Sequence, residues 1–294
     1  MSRLAFAFKG FLPLVLAAVA CVAQPTPTPG ALGAAQAERF QPGPPEAAAR
    51  YSDPGWVLAW NDEFSEGSAP SPARWGYERG LVRNHELQCY TDRPQNVRVD
   101  GGLLVITGRR EAWEGADYTS ASVTTEGKFE FTYGKVEIRA KIPTGLGTWP
   151  ALWMLGASHK AHWPACGEID LMENVGFDPQ KLHFTVHTGA FNHVKHTQRS
   201  RAVVLDRPWE DFHRYGLIWT HERLEFFLDG EKVSEFANDG LGPDHWPFDS
   251  PQYLIMNLAI GGAWGGQKGV DPSIFPVAFL VDYVRVWKAP GAGR

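Results

Sequence analysis

Between Gly134 and Ile142 the chain reads Lys135-Val136-Glu137-Ile138-Arg139-Ala140-Lys141-Ile142, with charged and apolar residues in strict alternation. Successive side chains of an extended backbone point to opposite faces, so a period of two predicts a strand with one dry and one wet face. Other segments carry related signatures. Leu103–Thr107 follows the turn Asp100-Gly101-Gly102, and Leu224–Leu228 and Glu231–Phe236 flank Asp229-Gly230, a dipeptide suited to the positive φ angles of a tight hairpin. Tyr215–Thr220, Tyr253–Ala259 and Phe279–Trp287 add further strands, whereas no stretch of ten residues holds a convincing 3.6-residue period. With 31 Gly and 22 Pro to supply turns, the chain is predicted to be all-β, folded as a two-sheet sandwich of jelly-roll type.

The strand signals begin only after residue 50. Met1–Lys9 carries Arg3 and Lys9, Gly10–Ala20 is a short apolar run broken by Pro13, and Ala18-Val19-Ala20 precedes Cys21. That order reads as a secretory signal over residues 1–20 rather than a membrane span. Cys21 in this setting also fits a lipidated N-terminus and thus a membrane tether. Residues 21–50 draw 17 of 30 positions from Pro, Ala and Gly, which gives an extended linker with no core of its own. Residues 51–290 are then one folded domain. The expected location is outside the cytoplasm: secreted, periplasmic or lipid-anchored at the cell surface. Cys89 and Cys166 would meet an oxidising environment there, which permits a bridge without implying one. A formal charge of −5 lacks the basic surplus that phosphate neutralisation needs, so nucleic acid is not an expected partner. A monomer is expected.

The most informative run is Gly167-Glu168-Ile169-Asp170-Leu171-Met172-Glu173-Asn174. On a helix its outer two acids would stand about 140° apart around the axis. On a regular strand Glu168 and Asp170 share a face, while Glu173 points into the core at high cost. One surplus residue at Leu171-Met172, a β-bulge, returns Glu173 to the side of the other acids. The two glutamates then lie about 13 Å apart at Cα. Leaning side chains could bring their carboxyls to about 5–6 Å, the separation used in double-displacement glycoside hydrolysis. Three acids on one face repel, so at least one should keep a proton near neutrality. A carboxylate beside a carboxylic acid is the pair that glycosidic cleavage requires. The 12 Trp residues point the same way, since flat apolar side chains suit the CH faces of sugar rings.

Glu168-x-Asp170-x-x-Glu173, preceded by Trp163-Pro164-Ala165-Cys166-Gly167, resembles the signature of glycoside hydrolase family 16 in its bulged, laminarinase-like form. Collinear segments support the resemblance across most of residues 55–288: Trp60–Phe64, Asn84–Thr91, Tyr118–Ala121, Gly147–Met154, Asn257–Gly262 and Val281–Trp287. The resemblance implies a concanavalin A-like jelly roll and a retaining endo-β-glucanase. Glu168 would be the nucleophile, Glu173 the acid/base, and Asp170 the residue that orients and tunes the pair. The implied partner is a β-glucan polysaccharide, with β-1,3-glucan as the expected substrate. Mixed-linkage β-1,3-1,4-glucan and β-galactan are competing substrates, and a non-catalytic glucan-binding protein is the alternative of another class.

Within that frame Trp149, Trp153 and Trp163 are candidate sugar platforms, and Asn84 and Glu86 are expected to grip hydroxyls. His187 is expected to line the cleft, and Asn257 and Trp264 are further substrate-binding candidates. The loop Val186–Gln198, with Phe191-Asn192-His193, departs from the glycine-rich laminarinase pattern. His162, His183, His187, His193 and His196 lack the compact spacing of a zinc motif, so no catalytic metal or other catalytic cofactor is expected. A structural calcium is a candidate, with Asp282 as its carboxylate and carbonyls near Glu63 and Gly101 as partners.

Overall fold

A computed structural model describes the backbone of residues 38–39, 51–157 and 161–289. The expected signal, the Cys21 tether and most of the linker lie outside the described residues. In chain order the strands are β1 (Glu38–Arg39), β2 (Val57–Asp62), β3 (Gly76–Glu78), β4 (Gln88–Tyr90), β5 (Val97–Asp100) and β6 (Leu103–Trp113). There follow β7 (Ala116–Ser120), β8 (Ser122–Thr124), β9 (Gly134–Lys141), β10 (Thr148–Gly156), β11 (Glu168–Glu173) and β12 (Lys181–His187). The last six are β13 (Arg199–Val204), β14 (His213–Trp219), β15 (Arg223–Leu228), β16 (Glu231–Ala237), β17 (Gln252–Ile260) and β18 (Val277–Lys288). Beyond Tyr51, helix among the described residues amounts to one turn at Gly262–Gly265 and two 3₁₀ segments.

The strands form the expected jelly roll of two sheets. One has the order β1-β13-β12-β11-β10-β17-β8-β3; the other runs β16-β15-β14-β9-β18-β6-β7-β4, with β2 paired to β18 and β5 to β6. Alternation along the strands decides what each sheet turns inward. In β10, Leu152 and Met154 enter the core between the sheets, joined there by Ile169, Leu254, Met256, Val136, Ile138 and Val284. Ala151 and Trp153 instead make a separate cluster with Tyr253 and Ile255 on the other face of β10 and β17. That second face carries the site.

Three sequence expectations are refined. The dry face of β9 is as predicted, with Val136, Ile138 and Ala140 fully buried, but its wet face is not wet: Lys135 and Glu137 are buried too. Tyr51 and Tyr283 donate hydroxyls to Glu137 at 2.6 and 2.7 Å, and Lys135 Nζ sits over the Tyr51 and Trp287 rings while donating to the Tyr51 carbonyl. Aromatic cover with paired charges makes this burial tolerable. Part of the expected linker is also used structurally, because Glu38–Arg39 pairs in parallel with Val203–Val204 at a sheet edge. Cys89 and Cys166 are buried and unpaired.

Candidate active site

β11 lies between β10 and β12, and its register carries one surplus residue. Against β12, Asp170 faces Thr185 and Glu173 faces His183, so three steps on β11 match two on β12. Against β10, Trp153 faces Asp170 while Leu152, its neighbour, faces Met172. This is the bulge expected from the sequence. Leu171 and Met172, adjacent in the chain, both enter the inter-sheet core, and Glu173 therefore returns to the face of Glu168 and Asp170. Directly opposed residues share a face, so β10 adds Ala151, Trp153 and Leu155 to this surface, and β12 adds His183, Thr185 and His187. The entry to β11 is fixed by Gly167: its φ is +83°, and a Cβ there would lie 2.7 Å from Pro247 and 2.9 Å from Phe248.

Each outer acid is held by an indole. Trp163 Nε1 donates to Glu168 Oε2 at 2.9 Å, and Trp149 Nε1 donates to Glu173 Oε1 at 3.0 Å. Asp170, only 2% exposed, has one oxygen, Oδ2, with no hydrogen-bond partner. His187 Nε2 stands 3.6 Å from both Asp170 Oδ2 and Glu168 Oε1.

Burial raises all three carboxyl pKa values. For Glu168 the neighbouring Glu173 charge adds to burial, and together they push it up to about 8 against the lowering effects of Trp163 and Arg83. Burial takes Glu173 to about 7, with Trp149 lowering it and the Glu86 charge raising it. Burial and then the charges of both glutamates push Asp170 well up. Such values belong to the group as a whole: the trio keeps at least one proton near neutrality. From outside the trio, the Arg83 cation favours ionised Glu168 and the Glu86 anion favours protonated Glu173. Burial also holds the two histidines neutral, lowering His187 to about 3 and His183 to about 4.

Beside the acids runs a hydrogen-bonded relay. Trp153 Nε1 donates to Asn257 Oδ1 at 2.8 Å, Asn257 Nδ2 to the Tyr90 hydroxyl at 2.9 Å, and Tyr90 to Glu86 Oε2 at 3.2 Å. Gln88 and Asn84 also donate to Glu86, at 2.7 and 3.2 Å. At the other end, Trp264 packs edge-on against Trp149 and His183, with centroids 5.5 and 4.9 Å away. The surface thus offers two glutamates, an acid between them and aromatic walls, which is what a glycosidic bond needs for cleavage.

The chain matches the family model described as "Glycosyl hydrolases family 16" over residues 82–284. It belongs to that family. The "Beta-glucanase" of Rhodothermus marinus is 49% identical over 246 residues, covering 80% of this chain and 86% of that protein. An X-ray structure of the Rhodothermus marinus laminarinase superposes with a TM-score of 0.78 at 48% identity, covering 80% of this chain and 98% of the other. A mutant of a non-specific endo-β-1,3(4)-glucanase, co-crystallised with 1,3-β-D-cellotriosyl-glucose, gives a TM-score of 0.79 at 43% identity over 86% of this chain and 99% of its own.

The family 16 fold brings most of the sequence-selected residues together, but two change role. Trp153 is not an open platform: it is 6% exposed, its N–H is spent on Asn257, and the Arg83 guanidinium covers its ring at 4.9 Å. Asn257 uses both ends of its amide within the relay, so it positions neighbours rather than offering a free grip. Trp149, Trp163 and Trp264 remain partly exposed, and Asn84 is exposed at a positive φ of 56°. The calcium candidates lie on the opposite sheet. Register brings Asp282, between Val281↔Leu104 and Val284↔Asp62, close to the chain at Glu63 and Gly101. The Asp282 carboxylate already pairs with Arg139, and both Glu63 oxygens accept from Arg285 at 2.8 Å. A cation at Asp282 would share that carboxylate with Arg139.

Two residues were missed. Arg83 pairs with Glu78 and its charge favours ionised Glu168, yet in sequence it is a lone arginine ahead of Asn84. His193 puts its ring 4.8 Å from Trp163 and 5.2 Å from His187. The departure of the 186–198 loop from the family pattern was the signal for it.

Proposed function

We propose that this chain is a retaining endo-β-1,3-glucanase working through a covalent glycosyl-Glu168 intermediate. In the first step the Glu168 carboxylate attacks the anomeric carbon while Glu173 gives its proton to the departing glycosidic oxygen. A water, deprotonated by Glu173, then displaces Glu168 and leaves the product with its original β configuration. Asp170 sits between them and disfavours ionisation of all three at once. The chemistry draws on carboxyl groups alone and needs no catalytic cofactor. The bulge carries this reading, because a regular strand would bury Glu173. The beta-glucanase and laminarinase names of the relatives support glucan as the polymer. The signal and linker pattern of residues 1–50 supports action outside the cytoplasm.

The test is a reducing-sugar assay on laminarin, with lichenan, barley glucan and agarose alongside and Glu168→Gln as control. Laminarin is expected to be cut fastest, with β-anomer first in the proton NMR spectrum and activity abolished in the variant. Early α-anomer would exclude the retaining route. Laminarin bound but uncut by the wild type would make the chain a binding protein.

A further inference from the structure

Three atoms at the centre of the site are arranged in a way the hydrolytic reading does not use. Glu168 Oε1, Asp170 Oδ2 and His187 Nε2 all lie within 4.8 Å of one another. The two histidine distances, 3.6 Å each, are too long for hydrogen bonds. Asp170 Oδ2 is a buried acceptor with no partner, directed at the imidazole, and His187 Nδ1 is also unpartnered. Glu168 Oε1 is the oxygen that Trp163 leaves free, since the indole takes Oε2. Buried polar atoms left in this state call for a ligand.

The spacing names a class of ligand. A tetrahedral ion with metal–N and metal–O bonds of about 2.0–2.2 Å sets its ligand atoms about 3.3–3.5 Å apart. Both histidine edges of the triangle are close to that, and closing the third requires a small carboxylate rotation. One nitrogen with two carboxylate oxygens is the donor set of a borderline divalent cation such as zinc; magnesium and calcium prefer oxygen alone.

We propose that Glu168, Asp170 and His187 form a binding site for a single zinc-class divalent cation, which blocks Glu168 while bound. The blocking rests on the role proposed above for Glu168; the binding does not. An ion there occupies the free oxygen of the nucleophile, so bound cation and bound substrate exclude one another. Hydrolysis then becomes reversibly sensitive to free zinc.

The experiment is calorimetric titration of the full chain with zinc chloride, beside zinc inhibition of hydrolysis and its reversal by EDTA. One zinc per chain is expected at the site, with inhibition competitive against laminarin oligosaccharide and no comparable effect from magnesium. Glu168→Gln should bind zinc at least tenfold more weakly. Glu173→Gln, which removes an acid but no ligand, should bind zinc at least as tightly as the wild type does. Equal zinc binding by Glu168→Gln and wild type would overturn the proposal, as would zinc and oligosaccharide binding together. A wild type that binds zinc as described but cuts no β-1,3-glucan would instead fault the function proposed above.

Discussion

Trp163 donates its indole N–H to Glu168 at 2.9 Å, from a position five residues upstream of the acid it serves. A hydrogen bond to the ionised form keeps a carboxylate charged in a setting that otherwise protonates it. Trp163→Phe keeps the ring and loses the donor. The loss of a bond to a charged group is expected to lower kcat about 10–100-fold at mildly acidic pH. The acid limb of the kcat profile on laminarin should also move upward in pH. An unmoved acid limb would remove Trp163 from this role.

Trp149 stands in the same relation to Glu173, 3.0 Å away, but the outcome has the other consequence. Glu173 must be protonated for the first step, so without its donor it keeps the proton to higher pH. Trp149→Phe is therefore expected to extend the alkaline limb of the same profile, which in the wild type falls as Glu173 loses its proton.

The strand pattern and the acidic face were legible in the sequence for one reason: both depend on parity. Alternation in β9, and the mismatch between Glu168/Asp170 and Glu173, are periods of two that any reader can count. Residues acting across long separations were less legible. Trp153 shares strand parity with Trp149 and so reads as a platform, but parity cannot show that Arg83 covers its ring or that Asn257, 104 residues on, takes its N–H. Lys135 and Glu137 were misread for a related reason, because their cover comes from Tyr51, Tyr283 and Trp287, outside the strand.

The folded acid trio keeps a proton to higher pH than separate carboxyls do, whereas the unfolded chain releases its glutamates near the ordinary value of about 4.5. Below that ordinary value both states are protonated and stability is unaffected. As pH rises toward the folded value, the unfolded state gains and the fold is progressively destabilised. Glu168→Gln, inactive, is expected to raise Tm by several degrees at pH 8 and to leave it unchanged at pH 4. Calorimetric melting of both proteins at the two pH values checks this, and a gain confined to pH 4 would contradict it.

Asn257 joins Trp153 to Tyr90 through opposite ends of one buried amide. Asn257→Ala leaves a buried indole N–H and the Tyr90 hydroxyl each short of a partner, at about 1–3 kcal/mol apiece. A Tm lower by several degrees is expected, with KM for laminarin raised more than kcat is lowered. Thermal melts and initial-rate kinetics separate the two effects. Unchanged melting would mean the relay is not continuous.

The surplus residue of β11 also bears on ancestry. Inside and outside on this strand are told apart by counting, so losing one codon between Asp170 and Glu173 would abolish the bulge and still leave three acids on one face. Length and backbone shape of that interval are therefore coupled: the present one must be bulged, and one a residue shorter must be regular.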